Sequence, residues 1–234
     1  MQNTSLELSR RSLVLGTLSL AATLAGCAAP SSKALSVVPT SARRELGPPS
    51  QEEMAARYAA LEDASHQLPA VPFQQIDPKL YRQRVENTTG EPAGTVVVDV
   101  PSRFLYVTEP GGTAMRYGVG LGRAGFSWEG EGVIQWRQKW PRWKPPAEMI
   151  ARQPELEKFS VENGGQEPGP ENALGARALY IFQNGEDTLY RLHGTKDWKS
   201  IGKAVSSGCV RLINQDVVDL YNRVPLKARI VVRQ

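Results

Sequence analysis

Two side chains near the end of the chain have the chemistry of an acyl-transfer site. Cys209 is a candidate nucleophile and His193 a candidate base. A thiol attacks a carbonyl as its thiolate, so it needs a partner that takes the proton and stabilises the anion. Imidazole is the side chain whose charge changes nearest to neutral pH. The stretch from His193 to Leu212 therefore predicts nucleophilic catalysis through a thioester.

Residues beside the cysteine supply the other parts that such a site needs. Gly208 allows close backbone approach, and the N–H groups of Gly208 and Cys209 are candidates for stabilising a tetrahedral oxyanion. Arg211 supplies a fixed positive charge that could hold a substrate carboxylate or support the loop. An imidazole base also needs a group that orients it, for which Ser206 and a backbone carbonyl near Gly194 are the candidates.

The elements that must position these residues are β-strands. Residues 178–182 and 188–192 predict a hairpin joined through Asn184-Gly185, a dipeptide typical of a tight turn between strands. The second strand ends at His193, and catalytic residues are common where a rigid strand runs into a loop. After Cys209, Asn214 is placed to cap a helix that runs to about Arg223.

Short strands punctuated by glycine and proline continue upstream. The β-branched run from Thr95 to Val100 predicts a buried strand, and residues 104–107, 115–119 and 229–232 predict further ones. This pattern favours a mainly β domain of the sandwich or barrel-like kind, with a few short helices, over residues 94–234.

The combination of His193-Gly194-Thr195 with Ser206-Ser207-Gly208-Cys209-Val210-Arg211-Leu212 resembles the L,D-transpeptidase (YkuD) family of cell-wall enzymes. The resemblance extends from about Gly94 to Val232. Many members carry histidine before the Gly-Cys pair, where this chain has Ser207, so His193 alone is assigned as the base. Gly208, Arg211, Ser206, Ser207 and Gly194 remain candidates for oxyanion or substrate binding.

The resemblance implies a reaction on peptidoglycan stem peptides. Cys209 would attack the L-centre carbonyl of a diamino acid, and His193 would shuttle the proton. The side-chain amine of a second stem would then resolve the thioester. Two alternatives stay open: water resolves it, giving a carboxypeptidase or amidase, or the domain is an inactive wall-binding lipoprotein.

Residues 1–27 have the features of an export signal. Ser9-Arg10-Arg11-Ser12 resembles a twin-arginine motif, and the apolar run that follows is too short to span a bilayer comfortably. The run ends in Leu24-Ala25-Gly26-Cys27, which looks like a lipoprotein cleavage box. We therefore expect an exported protein of the periplasm or cell envelope, anchored to a membrane by a lipid on Cys27. The alternative is an ordinary signal peptide that is cut nearby.

Residues 28–93 are expected to form a tether followed by short helices. The first part is rich in Ala, Ser and Pro and lacks periodicity. Ser50 and Glu53 match a capping box that predicts a helix to about Leu61, and Asp77-Pro78 fits the start of another short helix. His66 is expected to be a solvent-exposed loop residue.

Composition and motifs argue against several other functions. The net charge of +4 is too mild to favour nucleic-acid binding. Two histidines far apart, with two cysteines of which one is Cys27, make a poor zinc site, so no metal is expected. The glycines of residues 120–125 match a dinucleotide-binding pattern, but no helix start follows them, so no cofactor is expected.

The stretch of residues 128–172 differs from the rest because it is rich in tryptophan and proline. Trp128, Trp136, Trp140 and Trp143 lie here, with basic residues beside them. Aromatic side chains are common both in cores and in half-wet clefts. Two interpretations therefore remain: these tryptophans form a lid or substrate wall, or they pack against the sheet.

Overall fold

β-Strands make up most of the folded chain. The computed structural model describes residues 46–122, 128–206 and 209–234. The signal segment with Cys27 and the first part of the tether lie outside these residues. The strands, in chain order, are β1 (Leu61–Asp63), β2 (His66–Leu68), β3 (Gln83–Glu86), β4 (Val96–Asp99), β5 (Phe104–Glu109), β6 (Thr113–Gly118), β7 (Leu121–Gly122), β8 (Gly130–Lys139), β9 (Arg177–Gln183), β10 (Glu186–Thr195), β11 (Ala204–Ser206), β12 (Val210–Ile213) and β13 (Ala228–Arg233).

Nine of these strands form one sheet in the order β12-β10-β9-β8-β13-β4-β5-β6-β3. The pairs β10/β12 and β4/β13 are parallel, and the other neighbours in this sheet are antiparallel. Two smaller sheets pair β1 with β2 and β7 with β11. The mainly β fold predicted from the sequence is confirmed.

Helices are short and few among the described residues. The α-helices are α1 (Gln51–Arg57), α2 (Ala147–Arg152) and α3 (Asn214–Arg223). Single 3₁₀ turns or short 3₁₀ helices occur at Phe73–Gln75, Pro78–Leu80, Pro154–Phe159 and Trp198–Ser200. Within the described ranges, no helix has the length and apolarity needed to cross a membrane.

The main core lies between one face of the large sheet and α3. Strand alternation points Leu192, Val210 and Leu212 to this face, where each is fully buried. Val217 and Leu220 of α3 pack against them. Burial of a single such side chain stabilises the fold by about 1.5–3 kcal/mol, so this packing fixes how β10 and β12 lie against the helix.

The sequence predicted a tether followed by short helices before Gly94, and residues 46–93 of that range are part of the folded structure. Strand β3 pairs with β6 and closes one edge of the nine-stranded sheet. Met54 and Tyr58 of the α1 region are buried in a second core with Ile213, the last residue of β12. Apolar side chains in this segment give it a core of its own. The Ala-, Ser- and Pro-rich residues before it did not indicate such a core.

The predicted helix starts are present, with differences in length. Ser50 and Glu53 form the capping box, but α1 ends at Arg57, four residues before the predicted end. Asp77 caps a single 3₁₀ turn at Lys79. Helix α3 spans the predicted residues, although Asn214 is its first residue and Ile213 its cap.

The predicted turn at Asn184-Gly185 is present between β9 and β10. Both residues have positive φ, as a turn with mirror-image geometry requires.

The tryptophan-rich region contains strand β8, which was not predicted because its residues lie among the tryptophans. These residues divide between the two interpretations: Trp140 is buried in a small core with Leu68, whereas Trp136 is 53% exposed.

His66 is not the solvent-exposed loop residue that the sequence suggested. It lies at the start of β2, is half-buried, and its ring centroid is 4.2 Å from that of Trp140. The short β1/β2 hairpin holds it there, and Asp63 of β1 forms two hydrogen bonds with Arg177 of β9. His66 is therefore part of the packing between this hairpin and the sheet.

Candidate active site

The parallel pairing of β10 with β12 brings the predicted nucleophile and base to one face of the sheet. Leu192 pairs with Val210 and His193 with Arg211. Because side chains alternate along a strand, Leu192 and Val210 point into the core while the residues on either side point away from it. We call the opposite face, which carries Arg191, His193, Cys209 and Arg211, the site face.

Cys209 lies one residue before β12, next to Arg191. The main-chain N–H of Arg191 donates a hydrogen bond to the Cys209 sulfur, and the thiol is half-buried. This contact continues the β10/β12 ladder by one position. The thiol is therefore held next to β10, one residue before β12 begins.

Strand β12 and the residues before β11 are tied to the segment that leads into β7. Gly120 and Arg211 exchange two main-chain hydrogen bonds, of 2.9 and 2.8 Å, and Leu121 N–H donates to the Lys203 carbonyl at 2.9 Å. A Cβ at position 120 would lie 2.7 Å from the Ser200 carbonyl oxygen. Only glycine fits this approach, so Gly120 allows the chain at Ser200 to pack against the residue before β7.

The His193 imidazole has a defined tautomer. Its Nδ1 lies 2.7 Å from the carbonyl oxygen of Gly194, and the residue is only 5% exposed. A carbonyl oxygen only accepts hydrogen bonds, so Nδ1 carries the proton and donates it. In the neutral ring, Nε2 then keeps its lone pair and is able to accept a proton.

Gly194 has no side chain because Asn214 lies against it. A Cβ at position 194 would lie 2.2 Å from Asn214 Oδ1 and 3.0 Å from a Val217 methyl group. Asn214 Oδ1 is itself held by the main-chain N–H of Ala176 at 2.9 Å. The first residue of α3 therefore fixes the backbone that carries the acceptor for His193.

Burial keeps the His193 imidazole neutral. Removal from water lowers its pKa to about 4, and the nearby positive charges of Arg211 and Arg191 act in the same direction. The hydrogen bond to the Gly194 carbonyl opposes these effects in part. At neutral pH the ring is therefore a proton acceptor and not a cation.

Burial also keeps the Cys209 thiol protonated. Removal from water raises its pKa, and this effect exceeds the opposing contributions of the Arg191 N–H and of the Arg191 and Arg211 charges. The resting site accordingly combines a neutral thiol with a neutral imidazole. This arrangement suits removal of the thiol proton by the base during attack.

Comparisons with known proteins identify the family of the chain. The model of the YkuD family, described as an L,D-transpeptidase catalytic domain, matches residues 93–232. The chain belongs to this family. The matched range contains the whole nine-stranded sheet except β3, which lies before it, and the last residue of β13.

Several relatives show the same likeness. The probable L,D-transpeptidase YbiS of Escherichia coli K12 is 32% identical over 142 residues, covering 58% of this chain and 43% of the relative. The putative L,D-transpeptidase YkuD of Bacillus subtilis is 47% identical over 77 residues, covering 33% of this chain and 43% of the relative. The chain thus spans less than half the length of the curated relatives it matches.

A solved structure from Brucella melitensis, described as a probable carnitine operon oxidoreductase, is 45% identical to this chain. The match covers 66% of this chain and 94% of that one, with a TM-score of 0.46. A TM-score below 0.5 does not establish a shared fold, and the oxidoreductase name belongs to that protein.

Two more of the predicted site residues, Gly194 and Arg211, lie beside His193 in this L,D-transpeptidase domain. Gly194 is buried and Arg211 is half-buried. Gly194 supplies the carbonyl partner of His193, and Arg211 lies on the site face. Among the described residues, no carboxylate lies within salt-bridge distance of the Arg211 guanidinium. Burial lowers the pKa of Arg211, and the charge of Asp197 opposes this.

The structure does not test the roles predicted for Ser206, Ser207 and Gly208. Ser207 and Gly208 lie outside the described residues, and Ser206 is described only as the end of β11. The oxyanion-hole assignment for Gly208 and the substrate-binding assignments for Ser206 and Ser207 therefore stay predictions.

Sequence reasoning missed the contact of Arg191 with Cys209 and the contact of Asn214 with Gly194. Arg191 lies two residues before His193 in the same strand, so strand alternation alone would have placed it on the same face. Asn214 gave no such signal, because its contact with Gly194 depends on how α3 packs against β10. Its sequence position indicated only a helix cap.

Proposed function

We propose that this protein is an L,D-transpeptidase that forms or exchanges cross-links between peptidoglycan stem peptides. The single observation that carries the proposal is that Cys209 and a neutral His193 with Nε2 as acceptor share one face of the β10/β12 pair. A nucleophile with a base oriented by a third group is the arrangement that acyl transfer through a covalent intermediate requires. Membership of the family adds the substrate class.

The first half of the reaction forms a thioester. The Cys209 sulfur attacks the L-centre carbonyl of the diamino acid in a donor stem, while its proton passes to Nε2 of His193. The tetrahedral intermediate collapses with cleavage of the amide bond to the terminal D-residue. His193 returns the proton to the departing amine, which leaves as a free amino acid.

The second half transfers the acyl group. The side-chain amine of a second stem attacks the thioester carbonyl, and His193 accepts a proton from it. The carbon–sulfur bond breaks, the thiolate takes up the proton, and the new amide joins the two stems. No oxidant, metal or cofactor enters this balance.

We assign roles to three further sets of groups near the thiol. The Arg211 guanidinium is on the site face and is the cation that we assign to a substrate carboxylate. The main-chain N–H groups of Gly208 and Cys209 are assigned to the oxyanion. Ser206 and Ser207 are assigned to substrate contacts near the scissile bond.

We further propose that the protein works outside the cytoplasm, in the periplasm or cell envelope. The twin-arginine-like motif, the short apolar run and the box ending in Cys27 support export and a lipid anchor. Expression of the full chain and of Cys27→Ala with a radiolabelled fatty acid tests this. Label in the parent and not in the variant supports the anchor, whereas label in neither contradicts it.

The activity is tested by incubating the purified full chain with stem tetrapeptides and measuring product masses. Cross-linked dimers that depend on Cys209 support the transpeptidase. Stems shortened by one residue, without dimers, would assign the thioester to water and overturn the transpeptidase in favour of a carboxypeptidase. No product from either route, with a correctly folded protein, would leave the inactive wall-binding protein as the correct alternative.

A further inference from the structure

A row of aromatic and cationic side chains extends across the site face away from Cys209. Strand pairing aligns Trp136 of β8 with Tyr180 of β9, and Tyr180 with Arg191 of β10. The Trp136 and Tyr180 rings are stacked with centroids 4.6 Å apart, and the Arg191 guanidinium lies 4.4 Å from the Tyr180 centroid. Arg191 in turn donates its main-chain N–H to Cys209. We call Trp136, Tyr180 and Arg191 the aromatic row.

The aromatic row is held rigidly. Arg191 donates two hydrogen bonds to the Asp187 carboxylate, each of 2.7 Å, and one to the Tyr190 carbonyl. The Tyr180 hydroxyl donates to Gln138 Oε1 at 3.1 Å. With its donors engaged by Asp187 and its face on Tyr180, the Arg191 side chain acts as a support of the row rather than as a free anion-binding group.

Trp136 lies at the end of the aromatic row, and about half of it is exposed to solvent. One indole face is covered by Tyr180, yet 53% of the residue is exposed. Trp140, four residues on, is by contrast buried in a core. An indole that is half exposed on a rigid support is suited to stacking against a flat ligand with an apolar face.

The separation of Trp136 from Cys209 matches a part of the substrate. Four adjacent strands, β8, β9, β10 and β12, carry the row and the thiol, and three strand spacings amount to roughly 14 Å. A three-residue stem from the reacting carbonyl to its start spans about 10 Å when extended. The lactyl ether that joins the stem to its sugar extends this reach further.

We propose that the aromatic row is a subsite for the hexosamine sugar that carries the donor stem peptide, with the pyranose ring stacked on Trp136. The inference rests on the proposed function, since it takes the thioester at Cys209 as the fixed end of the substrate. The row thereby selects stems that are still attached to glycan strands over free stem peptides.

Binding to a protein without the nucleophile tests the sugar subsite separately from the chemistry. The Cys209→Ala full chain is titrated with a disaccharide tetrapeptide and with the free tetrapeptide, using calorimetry. We expect the disaccharide form to bind about five- to tenfold more tightly, and this preference to disappear when Trp136→Ala is added. Trp136→Phe, which keeps an aromatic ring, should retain part of the preference.

Leu46→Ala is the matched control, because Leu46 is a similarly exposed apolar residue near the β3 edge of the sheet. It should leave the preference unchanged. Equal binding of the two ligands by the parent, or a preference that survives Trp136→Ala, would overturn the sugar subsite. An equal loss of affinity for both ligands in Trp136→Ala would show that the peptide itself covers this ring, and would also overturn it.

The failure of the proposed function would look different. In that case the protein with Cys209 would form no product from either ligand, whereas the binding preference of the Cys209→Ala protein is measured without turnover. With an active protein, the ratio of kcat/KM for the two donors gives a second readout. It should fall to about one in Trp136→Ala and stay at the parental value in Leu46→Ala.

Discussion

The Nδ1 of His193 lies 2.7 Å from the carbonyl oxygen of Gly194, the next residue in the chain. This contact sets the tautomer of the imidazole through a main-chain carbonyl. It also makes the backbone at Gly194 a part of the site, and that backbone is held in turn by Asn214 of α3. The orientation of the base is therefore coupled to the packing of α3 on the sheet.

Replacing His193 by asparagine should separate the structural contact from the base. The asparagine amide nitrogen is placed to donate to the Gly194 carbonyl as Nδ1 does, but it offers no proton acceptor in place of Nε2. We expect kcat/KM to fall by about 10²- to 10⁴-fold in His193→Asn, as general-base loss usually costs. The measurement is the rate of tetrapeptide consumption.

His193→Ala is the matched variant, since it loses both the contact and the base. Its activity should be as low as that of His193→Asn, while its thermal unfolding temperature should be lower. Activity in His193→Asn within tenfold of the parent would show that His193 is not the base.

The neutral state of the resting pair predicts an unusual pH profile. A buried imidazole with a pKa of about 4 remains a base at mildly acidic pH, so kcat/KM should hold down to about pH 5 and decline below it. An imidazole of ordinary pKa would give a decline near pH 6.5. Initial rates from pH 3.5 to 9 in buffers of constant ionic strength distinguish the two.

The same burial predicts a slow thiol. Because the pKa of Cys209 is raised, alkylation of the folded protein by iodoacetamide should reach half its maximal rate at a higher pH than alkylation of the unfolded protein in urea. Arrival of labelled mass on the peptide that contains Cys209 is the readout. Half-maximal labelling below pH 7 would instead indicate a preformed thiolate–imidazolium pair.

Gly194→Ala should damage both stability and activity. The added methyl group would lie 2.2 Å from Asn214 Oδ1, so the strand or α3 must move. We expect a loss of about 1–3 kcal/mol in the free energy of unfolding, typical of overpacking, and at least a tenfold loss in kcat/KM. Urea denaturation and steady-state rates measure the two effects.

A double variant with Asn214→Ala tests the cause of that damage. Removing Oδ1 leaves the Ala176 N–H without its acceptor but opens space for the methyl group. The loss of stability in the double variant should be smaller than the combined losses of the single variants by about 1 kcal/mol. Additive losses would show that the two residues do not conflict.

The sequence was sufficient to predict the strands that carry His193 but not the contacts that these strands make with the rest of the site. The alternation of apolar residues and the Asn184-Gly185 turn predicted β9 and β10, and through them the position of His193 at a strand end. The parallel pairing with β12 is a long-range contact, so local periodicity gave no sign of it. Its consequence, Arg191 beside Cys209, was missed for that reason.

The sequence did not show which tryptophans of residues 128–172 are buried, and the reason is a different one. Trp136 and Trp140 have the same residue type and similar neighbours, yet one is exposed and the other buried. The β-bulge between Ile134 and Trp136 puts Trp136 on the face opposite to the buried Ile134, whereas Trp140 follows the last residue of β8 and has a positive φ of 46°. No local pattern revealed either feature. His66 was misassigned likewise, because its partner Trp140 is far away in the chain.

Asp216 should make the free energy of unfolding depend on pH. It is fully buried, and burial raises the pKa of its carboxyl to about 6, although Arg82 and the Tyr58 hydroxyl favour the ionised form. Between about pH 4 and pH 6 the folded protein therefore binds more protons at this site than the unfolded chain does. Its contribution to stability falls as pH rises through that window, by on the order of 2–3 kcal/mol.

Asp216→Asn removes this titration and keeps an oxygen that can accept the hydrogen bond from Tyr58. Arg82 retains Asp219 as an ion-pair partner at 3.3 Å. The free energy of unfolding of the variant, measured by urea denaturation relative to that of the parent, should thus increase as the pH rises from 4.5 to 6.5. A difference that stays constant across these pH values would contradict the assignment.

The most direct test of the thioester is the mass of the protein itself after brief mixing with a stem tetrapeptide and acid quenching. The parent should show an adduct equal to the tetrapeptide acyl group without its terminal D-residue, located on the peptide that contains Cys209. Cys209→Ala should show none. An adduct on another residue, or product formation by Cys209→Ala at the parental rate, would contradict the account.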